Sequence, residues 1–239
     1  NFIWNFTTNF SKQKSVIDKV LNNSEVNIQS AAGSSQYIIR AGEKIGQLYG
    51  YLFLTSVDQL DADKNPFIPV ADQANWEVAS NGYVVNKATK QPFATSLRYS
   101  LGDPNPKFNM SFINELNYKG FLNFSFQFDW VYKSNLYNQT KEWMYRDGIH
   151  KDYAVPVTIN GQTEAWTAFY RGAYAVRQAN GTKSYFMEDA SFLRLRNVAL
   201  AFELTHFVKI KGISRIQLLL SGRNLLTVTD YTGMDPEIS

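Results

Sequence analysis

The chain of 239 residues contains no cysteine, which excludes disulfides, thiol catalysis and zinc–thiolate sites and suits a protein of the cell envelope. Histidine is nearly as scarce. His150 and His206 are the only two, they lie far apart, and no Gly-x-Ser-x-Gly, His-Glu-x-x-His or phosphate-loop pattern accompanies them. No apolar run approaches the length of about 20 residues that a membrane helix requires. Any passage through a bilayer must therefore be made by strands closed into a barrel. Charge of one sign is not concentrated either: 24 Lys and Arg are scattered among 21 Asp and Glu, for a net charge of +3, so there is no nucleic-acid footprint. The carboxylate pair Glu188 and Asp189 offers no acid–base couple, because neighbours on a strand point to opposite faces. These two side chains are expected to hold a loop end. No enzyme activity, metal or other cofactor is expected.

Aromatic residues, in contrast, are abundant. There are 17 Phe, 14 Tyr and 5 Trp, 15% of the chain, while mean hydropathy stays at −0.30, the combination given by alternating strands with long polar loops. The stretch "GFLNFSFQFDW" shows the pattern: Leu122, Phe124, Phe126, Phe128 and Trp130 fall on one face, and Asn123, Ser125, Gln127 and Asp129 on the other. "NFIWNFTTNF" alternates in the same way, as does "FNMSFINELNY", where Asn114 is the exception on the apolar face. In "LRLRNVALAFEL" the phase slips by one residue at Arg196 and Asn197, which predicts a β-bulge. "RIQLLLSGRNLLTV" keeps phase as far as Gly222.

Connections between these strands are of two kinds. A tight "KGF" turn joins Tyr118 to Leu122, and "THFVKIKGIS" is another short link, whereas residues 11–107 and 131–190 are long excursions. Outer-membrane barrels segregate short periplasmic turns from long extracellular loops in this way. Within the excursions, "QYIIRAGEKIGQLYGYLFL" predicts a strand pair whose Gly42, Gly46 and Gly50 mark turns or close backbone approach. "SVDQLDAD" and "NQTKEWMYRDG" predict short helices, the second capped at Gly148.

The closing sections "EDASFLRLRNVALAFEL" and "GISRIQLLLSGRNLLTVTDYTGMDPEIS", in that order and spacing, resemble the SusC/RagA-type TonB-dependent outer-membrane transporters. "GEKIGQLYGYLF" and "GDPNPKFNMSFINELNYKGFLNFSFQFDW" are similar to further segments of that family. The stretch "NWEVASNGYVVNKATKQPF" departs from it where many members carry an acidic, glycine-containing loop, so no cation is carried over. The resemblance implies an all-β fold, the C-terminal part of a large antiparallel transmembrane barrel, 22-stranded in the family. Residues 1–239 would be a partial barrel domain, with 11–107 and 131–190 as extracellular loop regions. A chain opening at Asn1 inside a strand is expected to be a piece of something longer, with signal peptide, plug and final strand outside it. The implied function is active import of a large nutrient, an oligosaccharide or less often a peptide, across the outer membrane of a Gram-negative bacterium. The implied partners are a SusD-like lipoprotein, TonB acting through the plug, and outer-membrane lipid.

On that footing the aromatic face of residues 122–130 meets lipid. Asn123, Gln127, Asp129, Arg194 and Arg196 face the lumen or the plug, and Trp130, Tyr132, Tyr118 and Phe121 sit in aromatic girdles at the strand ends. Trp76, Trp143, Tyr145, Trp166 and Tyr170 lie in the loops, where planar rings can stack on a substrate. The alternative from another class is a soluble or surface-attached β-sandwich that binds carbohydrate, in which the same aromatic face is a sandwich core.

Overall fold

A computed structural model describes residues 1–29, 36–177, 181–205 and 207–237. In chain order its strands are β1 (Phe2–Ser11), β2 (Val26–Gln29), β3 (Gln36–Ile39), β4 (Leu48–Phe53), β5 (Trp76–Val78), β6 (Val84–Asn86), β7 (Ala94–Gly102), β8 (Phe108–Tyr118), β9 (Leu122–Tyr132), β10 (Asn135–Tyr137), β11 (Val157–Ile159), β12 (Gln162–Glu164), β13 (Met187–Asp189), β14 (Phe192–Glu203) and β15 (Gln217–Thr229). Two helices, α1 (Gln139–Asp147) and α2 (Thr167–Ala175), fall in the second long excursion. The chain divides into two compact units: residues 1–14, 105–135 and 189–231 form the first, and residues 15–104, 136–188 and 232–239 the second.

The first unit is a five-stranded antiparallel sheet in the order β1-β8-β9-β14-β15, an open sheet rather than a closed barrel. Its register explains the sequence alternation. Opposite residues of paired strands point to the same face, and the pairs Trp4 with Leu116, Leu116 with Phe124, Phe124 with Leu200, and Leu200 with Leu220 run across all five strands. One face is therefore continuously apolar. It lacks an enclosed core: Phe2, Trp4, Phe6 and Phe10 are 56 to 60% exposed, and Leu220, Leu226 and Val228 are 55 to 59% exposed. A sandwich would need a second layer over these side chains, and among the described residues none covers them. The odd member, Asn114, accepts a hydrogen bond from the Trp4 indole nitrogen at 3.1 Å, so the polar group placed on the apolar face is satisfied from the neighbouring strand.

The expected bulge is present, with the register shifting between Leu195 and Asn197 against both β9 and β15. On β15 the irregularity falls at Asn224, which has a φ of 52°. The β8–β9 turn carries positive φ at Lys119 (51°) and Gly120 (74°), the primed turn geometry that matches strand twist.

The second unit holds the enclosed core. Its larger cluster contains Phe53, Tyr145, Phe169, Tyr170 and Phe186, and a smaller one is built on Leu54, Ile68 and Val84. The two excursions are thus folded structure, containing ten of the described strands, both helices and a four-stranded sheet in the order β2-β3-β4-β7. Gly42 (φ 86°) and Gly46 (φ 80°) make turns between β3 and β4. Gly50 lies inside β4, where an added Cβ would run into the backbone carbonyl of Thr182. The amide of Tyr51 donates to that carbonyl at 2.9 Å. Helix α1 starts at Asn138, whose side chain accepts from the Lys141 amide, and stops at Gly148 in the left-handed conformation (φ 70°), as the sequence predicts. The helix expected in "SVDQLDAD" is instead a run of turns. There Asp61 Oδ1 accepts from the amides of Asp63 and Asn65, the local competition by which Asp disfavours helix interiors.

Among the described residues no helix is long and apolar enough to cross a membrane, a statement that leaves strands untouched.

Candidate functional site

Two places gather chemistry, one in each unit. In the first unit it is the polar face of the sheet. Strand alternation aims Ser111, Asn117, Asn123, Gln127, Asp129 and Asn197 to the side opposite the aromatics, and their side chains bond across strands. Asp129 is the hub: it accepts from Ser111 Oγ at 2.9 Å, Gln127 Nε2 at 2.7 Å and Arg196 Nε at 2.8 Å. Arg196 is the extra residue of the β14 bulge, and it reaches on to Asn224 Oδ1 at 3.1 Å. The bulge thus keeps Asn197 on the polar face beside Arg196 and lets Val198 resume the apolar phase, a known use of such irregularities. Gln127 also accepts from Asn197 at 3.3 Å, and Asn117 donates to Asn123 at 2.6 Å. Arg194 is buried, bonded to Thr227 Oγ1 at 2.9 Å with its guanidinium 5.1 Å from the Phe192 ring centre. All five polar-face candidates from the sequence therefore lie on this sheet, and Arg196 finds its acidic partner within the chain.

Aromatic rings gather at both ends of the sheet. Tyr118, Phe121 and Phe207 pack edge to face at 5.7 and 5.9 Å, while Phe108, Trp130 and Tyr132 pack within 4.9 to 5.6 Å at the other end.

The second unit carries a cavity of about 270 Å³ whose walls include Ser80, Asn81, Asp152, Val157, Tyr170 and Tyr185. Its aromatic wall is shaped by a hydrogen-bond chain. Tyr145 donates to Asp152 Oδ2 at 2.6 Å, and the Tyr145 and Tyr185 hydroxyls are 2.8 Å apart. Since the single Tyr145 proton goes to the carboxylate, Tyr185 donates to Tyr145. Burial, with Tyr185 and Asp152 adding to it, pushes the Tyr145 phenol far above its ordinary range, and burial likewise raises Tyr185. Both remain neutral donors. His150 caps the short 3-10 turn that presents Asp152, its Nδ1 accepting from the Asp152 amide at 3.2 Å. Burial lowers its pKa despite the nearby Asp152 carboxylate, so at neutral pH Asp152 faces a neutral imidazole.

The five ring candidates separate here. Trp143 is exposed, with Arg146 over its ring at 6.0 Å. Trp76 packs edge to face on Phe93 at 5.1 Å, and Trp166 donates to the Val157 carbonyl at 2.8 Å under the Lys90 ammonium. Tyr145 is fully buried, so its ring faces are occupied by protein. Tyr170 is also buried but lines the cavity, its hydroxyl donating to the Val155 carbonyl at 2.6 Å. Asp152, Tyr185 and Asn81 were not singled out in the sequence. Nothing in a single strand or helix period marks them, because three separate segments bring them together. Of the two histidines, His206 lies outside the described residues. Glu188 and Asp189 hold loop ends, the first accepting from the amide and hydroxyl of Thr232 at 2.8 Å and the second from the Ser191 amide at 2.8 Å. Among the described residues no group of three or more His, Asp or Glu could hold a metal ion.

No family model matches the chain. Along 99% of its length it is similar to "TonB-dependent receptor P3" of Formosa agariphila, with 31% identity over 252 residues. The same coverage is found with two further receptors of that organism, P26 at 25% identity over 253 residues and P39 at 24% over 278. The chain spans about a quarter of these relatives, between 23 and 26% of their length. In fold, the whole chain matches the RagAB peptide importer in its closed-closed state with a TM-score of 0.62 at 18% identity, over 25% of that chain. The match to the RagAB peptide transporter has a TM-score of 0.60 at 16% identity, over 24% of that chain.

Proposed function

As this chain belongs to the TonB-dependent receptor family, we propose that it forms part of the barrel wall and outer loops of a SusC-like importer in the outer membrane of a Gram-negative bacterium. The cargo is a large nutrient, an oligosaccharide or a peptide, delivered with a SusD-like lipoprotein and driven by TonB through a plug. The chain itself performs gated binding and release, with no covalent step. One observation carries the reading: a five-stranded sheet with a continuous, exposed apolar face and a hydrogen-bonded polar face. A water-soluble domain does not leave so large a patch open, whereas a bilayer solvates it and needs no second protein layer.

Dimensions agree with this role. The 11 residues of β9 rise about 34 Å, and a tilt near 45° reduces that to about 25 Å, the height of an outer-membrane apolar band. The two ring clusters then fall at its two rims. The polar face would line the lumen with Asp129, Arg194 and Arg196, and the second unit would stand among the extracellular loops. A peptide importer as structural neighbour adds weight to the peptide side of the cargo class.

Fractionation of the native source tests the reading, using an antibody raised against residues 131–190. A species several-fold heavier than 27.3 kDa in the outer-membrane fraction is expected. A soluble 27.3 kDa species would overturn it, and the aromatic face would then need a protein layer.

A further inference from the structure

The proposed importer leaves its cargo chemistry open, and the cavity of the second unit narrows it. We infer that this cavity is a subsite for an organic ammonium group, a primary amine carried by a peptide or an amino sugar; the inference rests on the import reading above. Three features of the pocket point the same way. First, Asp152 lines it with a carboxylate that accepts from the Tyr145 hydroxyl and stands 3.3 Å from the neutral His150 imidazole, so neither neighbour brings a lysine or arginine charge. The hydrogen bond falls on Oδ2, so the carboxylate keeps acceptor capacity for an incoming N–H⁺ donor. Second, Tyr170 and Tyr185 line it, and the Tyr185 ring already accepts a cation: the Lys141 ammonium, paired with Glu188 at 3.2 Å, stands 5.7 Å from its centre. Aromatic faces attract a cation and repel an anion, because the ring quadrupole is negative over its face. Third, Asn81 and Ser80 add polar side chains at the same wall, and these can complete the three donors of an ammonium group without adding positive charge.

The cavity also discriminates. Its volume of about 270 Å³ suits one residue or one sugar ring rather than a folded ligand. The Tyr185–Tyr145–Asp152 chain holds the carboxylate in place before a ligand arrives, so little ordering cost remains at binding. An acetylated amine loses the charge while keeping most of the shape and one N–H donor, so at this pocket it forfeits the charge-assisted part of the carboxylate contact.

The test uses the full-length protein purified in detergent, with affinity measured by calorimetry. The probes are the tripeptide Lys-Gly-Gly, its doubly acetylated form, a glucosamine trimer and the N-acetylglucosamine trimer. A free-amine probe is expected to bind more tightly than its acetylated partner, and Asp152→Asn, which keeps an acceptor for Tyr145, should weaken only the free-amine probe, by about tenfold to a hundredfold, the range of a charge-assisted hydrogen bond. Preference for the peptide or for the glucosamine trimer identifies the source of the amine. Equal affinity for amine and acetylated probes in the unmutated protein, or no free-amine binding at all, overturns the inference whether or not the variant folds. An unchanged affinity in a folded Asp152→Asn protein overturns it as well. None of these outcomes bears on outer-membrane fractionation, so the subsite and the import reading fail separately.

Discussion

Substituting Phe126 by arginine places a charge in the middle of the apolar face. Phe126 lies four residues from the start of β9 at Leu122, between Asn114 of β8 and Val198 of β14, with the rings of Phe124 and Phe128 at 5.4 and 5.9 Å. Four residues correspond to about 14 Å along the strand, or about 10 Å of depth at a 45° tilt, close to the centre of a 25 Å band. A lipid-facing arginine at that depth costs about 2 to 4 kcal/mol. The control is Ser125→Arg, one residue away on the polar face, where the new guanidinium stands opposite Glu115 and should change stability by less than about 1 kcal/mol. Gln127 is a poorer control, since it bonds both Asp129 and Asn197. Urea unfolding of the full-length protein in lipid vesicles, followed by tryptophan fluorescence, gives both values. A difference of at least about 2 kcal/mol between the two variants is predicted. Equal costs would refute the assignment of the aromatic face to lipid.

Other predictions concern the second unit. Gly50→Ala should destabilise by about 1 to 3 kcal/mol, because its Cβ meets the Thr182 backbone, which cannot swing aside as a side chain would; a melting temperature equal to that of the parent would contradict this. Lys183 and Glu142 form a fully buried ion pair at 3.3 Å, so Lys183→Met should cost about 3 to 5 kcal/mol by stranding the carboxylate, and the double variant with Glu142→Leu should recover most of it. Chemical denaturation of the four proteins in a double-mutant cycle measures the coupling. His150 has a pKa below the ordinary 6.5 when folded, so the unfolded chain takes up the proton first. Stability is therefore predicted to fall as pH drops below 6.5 and through the folded value. His150→Gln should flatten that part of a melting-temperature profile, and an unchanged slope would show that the imidazole does not couple to folding.

The sheet was legible in the sequence because a period of two survives whatever solvates each face. The bounds of β8, the tight turn at Lys119 and Gly120, and the bulge at Arg196 all follow from local pattern. Helix α1 was legible for a related reason, with Asn138 and Gly148 as local caps. Helix α2 was not: "TAFYRGAYA" has no capping side chain at its start, and burial of Phe169, Tyr170 and Ala173 against the rest of the core holds it in place. The turns at "SVDQLDAD" reversed a helix expectation because Asp61 bonds its own backbone. The cavity was invisible for a deeper reason. Asn81, Asp152 and Tyr185 are 71 and 33 residues apart in the chain, and no periodicity connects them.

Both buried clusters draw all their members from the second unit, while the sheet buries almost none of its apolar side chains in protein. Packing constraints in the two units are thus of different kinds. On the sheet an exposed apolar position has no packed neighbours on its outer side to fit, so substitutions there can accumulate one at a time. In the second unit a change at Phe169 or Phe186 demands a matching change nearby, and drift must proceed in correlated steps. Homologues should accordingly exchange one whole set of excursions for another more readily than they blend two, which lets a lineage renew the second unit while its strands remain the same.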